Sequence, residues 1–117
     1  MNETITTHAA EKMAERPTFA PPVDIYENKD EILILAEVPG VAADGFSIKL
    51  DRDQLTIDAH RRQVPSGEQA FDYQRVFAVP HGIEADKIAA TLQNGVLRLV
   101  LPKPAALKPR QIEVKAS

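Results

Sequence analysis

The side chains able to do chemistry are few in this 117-residue sequence, and they are scattered. There is no cysteine, so a thiol nucleophile and a disulfide framework are excluded, and any metal centre is left to histidines and carboxylates. The three histidines are His8, His60 and His81, at separations that no helix-borne zinc motif uses. Asp51 and Asp53 stand two apart like the opening of a calcium loop, but Gln54, Leu55 and Thr56 do not continue that pattern, and the pair reads as a turn. No glycine-rich phosphate loop and no G-x-S-x-G elbow occurs. The 17 acids fall mostly on expected turns and solvent faces. This inventory points away from an enzyme and away from any cofactor.

Composition narrows the remaining classes. Hydrophobic residues make up 44% and charged residues 26%, the balance of one soluble domain with an ordinary core. A net charge of −3 and an aromatic content of 5% offer nucleic acid neither a basic face nor stacking platforms. No apolar run approaches the roughly 18 residues of a membrane span, and the first residues lack the apolar core of a signal peptide. A cysteine-free chain of this kind is expected in the cytoplasm.

The elements that would position any site are strands. Residues 1–20 mix Thr, Glu, Lys and Ala with isolated apolar residues, which predicts a flexible arm, with Thr7 placed to cap a short helix that Pro17 ends after Arg16. Pro21-Pro22 leads into a short strand from Val23 to Tyr26, and Glu27–Asp30 reads as a turn. A strand from Glu31 to Val38 ends at Pro39-Gly40. Phe46, Ile48 and Leu50 alternate with Ser47 and Lys49, and a second alternating run spans Gln54 to His60. Arg61 to Ala70 is a polar loop. Phe71 to Val79 is the longest β-prone run and sets Phe71, Tyr73, Arg75 and Phe77 on one face.

The sharpest local signal is Asn94-Gly95 between two apolar runs. Ile88, Ala90 and Leu92 alternate before it and Leu97, Leu99 and Leu101 after it, and both turn residues accept the positive φ that a type I′ hairpin requires. Short strands at even spacing, divided by Pro and Gly, predict an all-β antiparallel sandwich. The sandwich is expected over residues 21–102. Residues 103–117 then form an extension stiffened by Pro104 and Pro109, rich in Lys and Arg, and closing on Ile112-Glu113-Val114.

With the elements placed, the sequence resembles the small heat-shock proteins, whose core is the α-crystallin domain. The motifs that carry this are Val23-Asp24-Ile25, Ala36-Glu37-Val38-Pro39-Gly40-Val41, Arg75-x-Phe77-x-Val79-Pro80, and Ala90 through Asn94-Gly95-Val96-Leu97 to Leu101-Pro102-Lys103. The resemblance implies an immunoglobulin-like sandwich with Pro39, Gly40, Asn94, Gly95, Val96 and Leu97 as its structural signature. It implies an ATP-independent chaperone that holds non-native client proteins and assembles into homodimers and higher oligomers. It also implies that Ile112 and Val114 act as an anchor, docking in a neighbour's groove lined by Ile48 and Leu50 on one strand and by Ile88, Ala90 and Leu92 on another. Ile112 and Val114 stand two apart and so point the same way in an extended segment. The alternative is that they form a last strand of their own domain.

Two departures from the family pattern shape the expectations. The loop between His60 and Phe71 is shorter than the excursion bacterial members use to swap a strand, so pairing through the edge strand bearing Phe71, Tyr73, Arg75 and Phe77 is expected instead. Arg75 would then meet an acid across the seam, or else a local carboxylate. The arm is short and poor in Phe, which predicts a smaller assembly. A co-chaperone of the CS type, a monomer on the same sandwich that serves one folded partner, is the competing reading.

Overall fold

The computed structural model of the chain describes residues 16–62, 64–105 and 111–116. Eight strands form two four-stranded sheets. β1 (Thr18–Phe19), β6 (Asp72–Ala78), β5 (Gln54–His60) and β4 (Phe46–Asp51) are neighbours in that order in the first sheet. The second sheet has the order β2 (Val23–Glu27), β3 (Glu31–Glu37), β8 (Val96–Pro102) and β7 (Ala89–Gln93). All pairs are antiparallel except β1 with β6. The chain changes sheets three times, between β1 and β2, between β3 and β4 and between β6 and β7. The breakers Pro21-Pro22, Pro39-Gly40 and Pro80-His81-Gly82 stand at those three crossings, where a chain that cannot continue its ladder is released to the other layer.

The period-2 pattern is realised as inward and outward faces. In β3, Ile32, Ile34 and Ala36 are buried, and they stand opposite Leu101, Leu99 and Leu97 of β8. From the first sheet, Leu55, Ile57 and Ala59 of β5 meet them with Tyr73 and Phe77 of β6. Fully burying a Leu, Ile or Phe is worth about 1.5–3 kcal/mol, so this layer is the main source of stability in a chain without disulfides.

The Asn94-Gly95 hairpin forms as the sequence requires. Gln93 pairs with Val96 around the two-residue turn, and Asn94 and Gly95 have φ of 52° and 75°. The expected strands over 23–26, 31–38, 46–50, 54–60 and 71–79 are also found, with ends moved by a residue or so.

The N-terminal boundary differs from expectation. Thr18 and Phe19 belong to β1, and Pro21 is fully buried, so the sandwich begins before residue 21. Two long-range attachments explain why. The Asp72 amide donates to the Pro17 carbonyl at 2.9 Å, and the Phe19 ring meets Phe71 edge-on at 5.1 Å. The helix expected to begin at Thr7 lies outside the described residues.

Candidate functional site

In a sandwich the functional surfaces are its edges and flanks, where a layer ends and its backbone or its core is left uncovered. β6 lies on the β2–β3 side. The Tyr73 hydroxyl donates to the Pro39 carbonyl at 3.3 Å, and one cleft is lined jointly by Ile25, Ile32 and Ile34 from the second sheet and by Phe77 to Pro80. β4 and β7 are therefore the facing edges of the opposite flank.

On that flank, Ile48 and Leu50 of β4, Leu92 of β7 and Ile88 just before it are half-buried and pack against the core, whereas their strand neighbours in the middle of each sheet are fully enclosed. Ala90 faces the same way by its register opposite Leu99 but is exposed. The result is an apolar strip between two strand edges. Ile112 and Val114 are 86% and 90% exposed and belong to no strand.

The β6 edge corrects one expectation. Phe71, Tyr73, Arg75 and Phe77 do share a face, but it is the inward one: Tyr73 and Phe77 belong to the core and Phe71 packs against it. The reason is the second sheet, which covers this face and turns a strand-surface aromatic row into core. What β6 presents outward is its backbone edge. Among the described residues, β1 covers that edge at Asp72 and Tyr73 and leaves it open from Gln74 onward, beside an exposed Val76. Arg75 is half-buried over the Phe77 ring, 5.4 Å from its centre, and among the described residues no carboxylate pairs with it.

The signature residues converge on one corner. Val38 donates to the Gly95 carbonyl at 2.8 Å, and Pro39 Cα would stand 3.4 Å from a Cβ on Gly95, so the Pro39-Gly40 turn lies against the hairpin. Gly40 has φ of +85°, and a Cβ there would come within 2.9 Å of Arg61 Nε. Val96 is partly buried and Leu97 is core.

Sequence reasoning missed a polar cluster at the start of β6. Asp72 Oδ1 accepts from Arg16 at 2.8 Å and lies 2.9 Å from His60 Nδ1. The same Arg16 donates to the carbonyls of Arg61 and Phe71 at 2.7 and 3.1 Å. Arg61 is buried, stacked 4.1 Å over the Phe71 ring, with Glu68 as its ion-pair partner at 3.2 Å. No local signal links residues 55 apart, so only the folded chain reveals this fastening of β1 to β6.

No group of three or more His, Cys, Asp or Glu that could hold a metal is found among the described residues, and no helix there is long and apolar enough to cross a membrane. His60 and His81 each contact a single aspartate, Asp72 and Asp53.

Comparison with known proteins agrees with this architecture. A family model described as Hsp20/alpha crystallin family matches residues 24–115. A probable 15 kDa heat shock protein of Leptospira interrogans is 34% identical over 98% of this chain and 92% of its own length. Among solved structures, a small heat-shock protein from Xylella fastidiosa, described as having a distinct high order structure, is similar with a TM-score of 0.66 and 30% identity over 84% of this chain and 98% of that one. Heat shock protein 16.0 from Schizosaccharomyces pombe has a TM-score of 0.64 at 26% identity, covering 85% and 97%. With its sandwich order, its converging signature turns and these matches, the chain belongs to the Hsp20/alpha crystallin family, a family of chaperones rather than enzymes.

Proposed function

We propose that the protein is an ATP-independent holdase of the cytoplasm, which covers apolar surface on non-native proteins and so prevents their aggregation. The observation that carries this reading is the half-covered apolar strip of Ile48, Leu50, Ile88 and Leu92 beside two strand edges that are unpaired among the described residues, with Ile112 and Val114 exposed in the same chain. Open edges and apolar strips are what a folded protein ordinarily hides, and they are the groups that engage extended, unfolded segments.

In this reading the chain works as an assembly. Two copies meet along the open β6 edge, with Arg75 facing an acid of the second copy. The Ile112-Glu113-Val114 segment docks across copies in the β4–β7 strip. Burying two branched side chains gains roughly 3–6 kcal/mol before the cost of ordering the tail, which leaves a contact weak enough to exchange. Exchange is what a holdase needs, because each departing tail frees apolar surface for a client. The Xylella relative's high order structure supports an assembling role.

The direct test is aggregation of a heat-labile client protein followed by light scattering, with a few equivalents of this chain and no nucleotide. Suppressed scattering is expected. Unchanged scattering with the chain still folded would leave only the fold in common with the family's chaperones.

A further inference from the structure

The two flanks of the sandwich differ, and the second one has a nearer occupant than a neighbouring subunit. Its cleft has a floor of Ile32, Ile34, Phe77 and Val79, exposed by only 2–9%, and a rim of Ile25, Glu27, Ala78 and Pro80. Ile25 is 52% exposed although it faces inward, opposite Ile34. β2 ends its sheet, so its outer backbone edge is unpaired among the described residues, and β2 is exposed from Asp24 to Glu27.

The chain's own tail leaves at this cleft. The Lys103 amide donates to the Asp30 carbonyl at 2.8 Å, and its ammonium is held by the Glu27 carboxylate, which is part of the rim, and by the Asn28 carbonyl. Pro104 stands beside Gly82, where a Cβ would come within 3.1 Å of its ring. Arg16 and Pro17 lie elsewhere: β1 runs parallel to β6, and both residues are held at its Asp72 end, away from Phe77. From Lys103 to Ile112 is nine residues, a reach of at most about 30 Å, long enough for the tail to fold back to the cleft beside Lys103.

Charge selects the same flank. The β2–β3 hairpin from Val23 to Glu37 carries the acids Asp24, Glu27, Asp30, Glu31 and Glu37 against the single base Lys29. The tail carries Lys103, Lys108, Arg110 and Lys115 against the single acid Glu113. On the other flank the charges of β4 and β7 are Lys49 and Asp51, which cancel. A basic segment is drawn to the acidic hairpin at moderate salt and is indifferent to the neutral strip.

We infer that the tail of each chain docks in cis on its own β2 edge, adding Ile112-Glu113-Val114 as an extra strand with Ile112 and Val114 closing the cleft over Ile25 and Phe77. A strand added to a free edge gains ladder hydrogen bonds along the backbone and pockets for alternate side chains, and Ile112 and Val114 are alternate residues. The tether supplies an effective concentration on the order of millimolar, so the closed form competes with docking on a neighbour. The tail is then shared between its own cleft and the β4–β7 strip of another subunit, and dilution shifts it to the former.

The absence of cysteine makes the test direct. In the full chain, Ile25→Cys is combined with Val114→Cys, and in a second variant Leu92→Cys with Val114→Cys. Neighbouring strands bring side chains within disulfide reach. Under mild oxidation the 25–114 pair is expected to close within one chain, at a rate unchanged by hundredfold dilution and about tenfold slower at molar salt. A 25–114 disulfide formed only between chains would show that a neighbour's tail is the occupant and overturn the inference, as would its failure to form while the 92–114 pair closes, or closure of neither. Methyl NMR of the unmodified chain gives a second reading: Ile112→Ala with Val114→Ala is expected to move the Ile25 and Ile34 signals, and unmoved signals would overturn the inference. Cross-linking of 92–114 between chains reports separately on the anchor proposed above, so either idea can fail alone.

Discussion

Arg75 stands over the ring of Phe77, with its guanidinium carbon 5.4 Å from the ring centre and no carboxylate partner among the described residues. Phe77 is core, so the cation is held at the boundary between the buried face and the open β6 edge. A fixed guanidinium with unmet donors is suited to an acid arriving from outside.

Arg75→Ala is accordingly expected to loosen self-association by about tenfold or more while leaving the fold intact, since a charge-assisted hydrogen bond is worth about 1.5–3 kcal/mol. Sedimentation equilibrium measures the association constant, and circular dichroism checks the fold. An unchanged constant would place the subunit contact elsewhere.

Replacing Ile112 and Val114 together by Ala should reduce the mass of the assembly, because roughly 3–6 kcal/mol of apolar burial drives each proposed contact. Leu92→Glu, which puts a charge in the strip, should give the same smaller species. Static light scattering distinguishes the outcomes, and an unaltered mass in both variants would remove the anchor role.

Asp72→Asn should unfasten β1. The carboxylate accepts from Arg16 and contacts His60, and the amide of Asp72 holds Pro17. Loss of the charge weakens the Arg16 contact but leaves the core alone. Hydrogen exchange at the Phe19 and Asp72 amides is expected to quicken by about tenfold, with the amides of Ile34 and Leu99 unaffected.

Gly40→Ala combines a positive φ with a Cβ placed 2.9 Å from Arg61 Nε, and Arg61 is itself pinned between Gly40 and Phe71. A loss of about 1–3 kcal/mol is expected. Leu99→Ala, at a position with no exposure, should cost more, about 2–5 kcal/mol, through the cavity it opens. Urea unfolding of both variants ranks them, and a smaller loss for Leu99→Ala than for Gly40→Ala would contradict this account of the core.

Much of the fold was legible in the chain because its rules are local. Alternation in Phe46-Ser47-Ile48-Lys49-Leu50 reports a half-covered strand directly, and the structure buries those positions in alternation. Asn94-Gly95 specifies a two-residue turn through its φ angles and thereby the register of β7 on β8. Pro39-Gly40 and Pro80-His81-Gly82 mark where ladders stop, and those stops prove to be two of the three crossings between sheets. The spacing of Ile48, Leu50, Ile88 and Leu92 likewise put them on strand faces, and the fold brings those faces to one flank.

What the chain could not state was which side of a face would be covered. Tyr73 and Phe77 have the same spacing whether they line a partner seam or a core, and only the position of the second sheet turns them inward. The fastening of β1 by Arg16 joins residues up to 56 apart, and neither Arg16 nor Asp72 carries any sign of the other. The apolar cleft beside Lys103 depends in the same way on β2 and β6 meeting across two layers. Periodicity and turn chemistry are properties of a few consecutive residues, and they were fixed by the sequence alone. Sidedness, edge capping and the neighbourhood of the tail are properties of pairs brought together by burial, and these were decided only when the two sheets closed on their core.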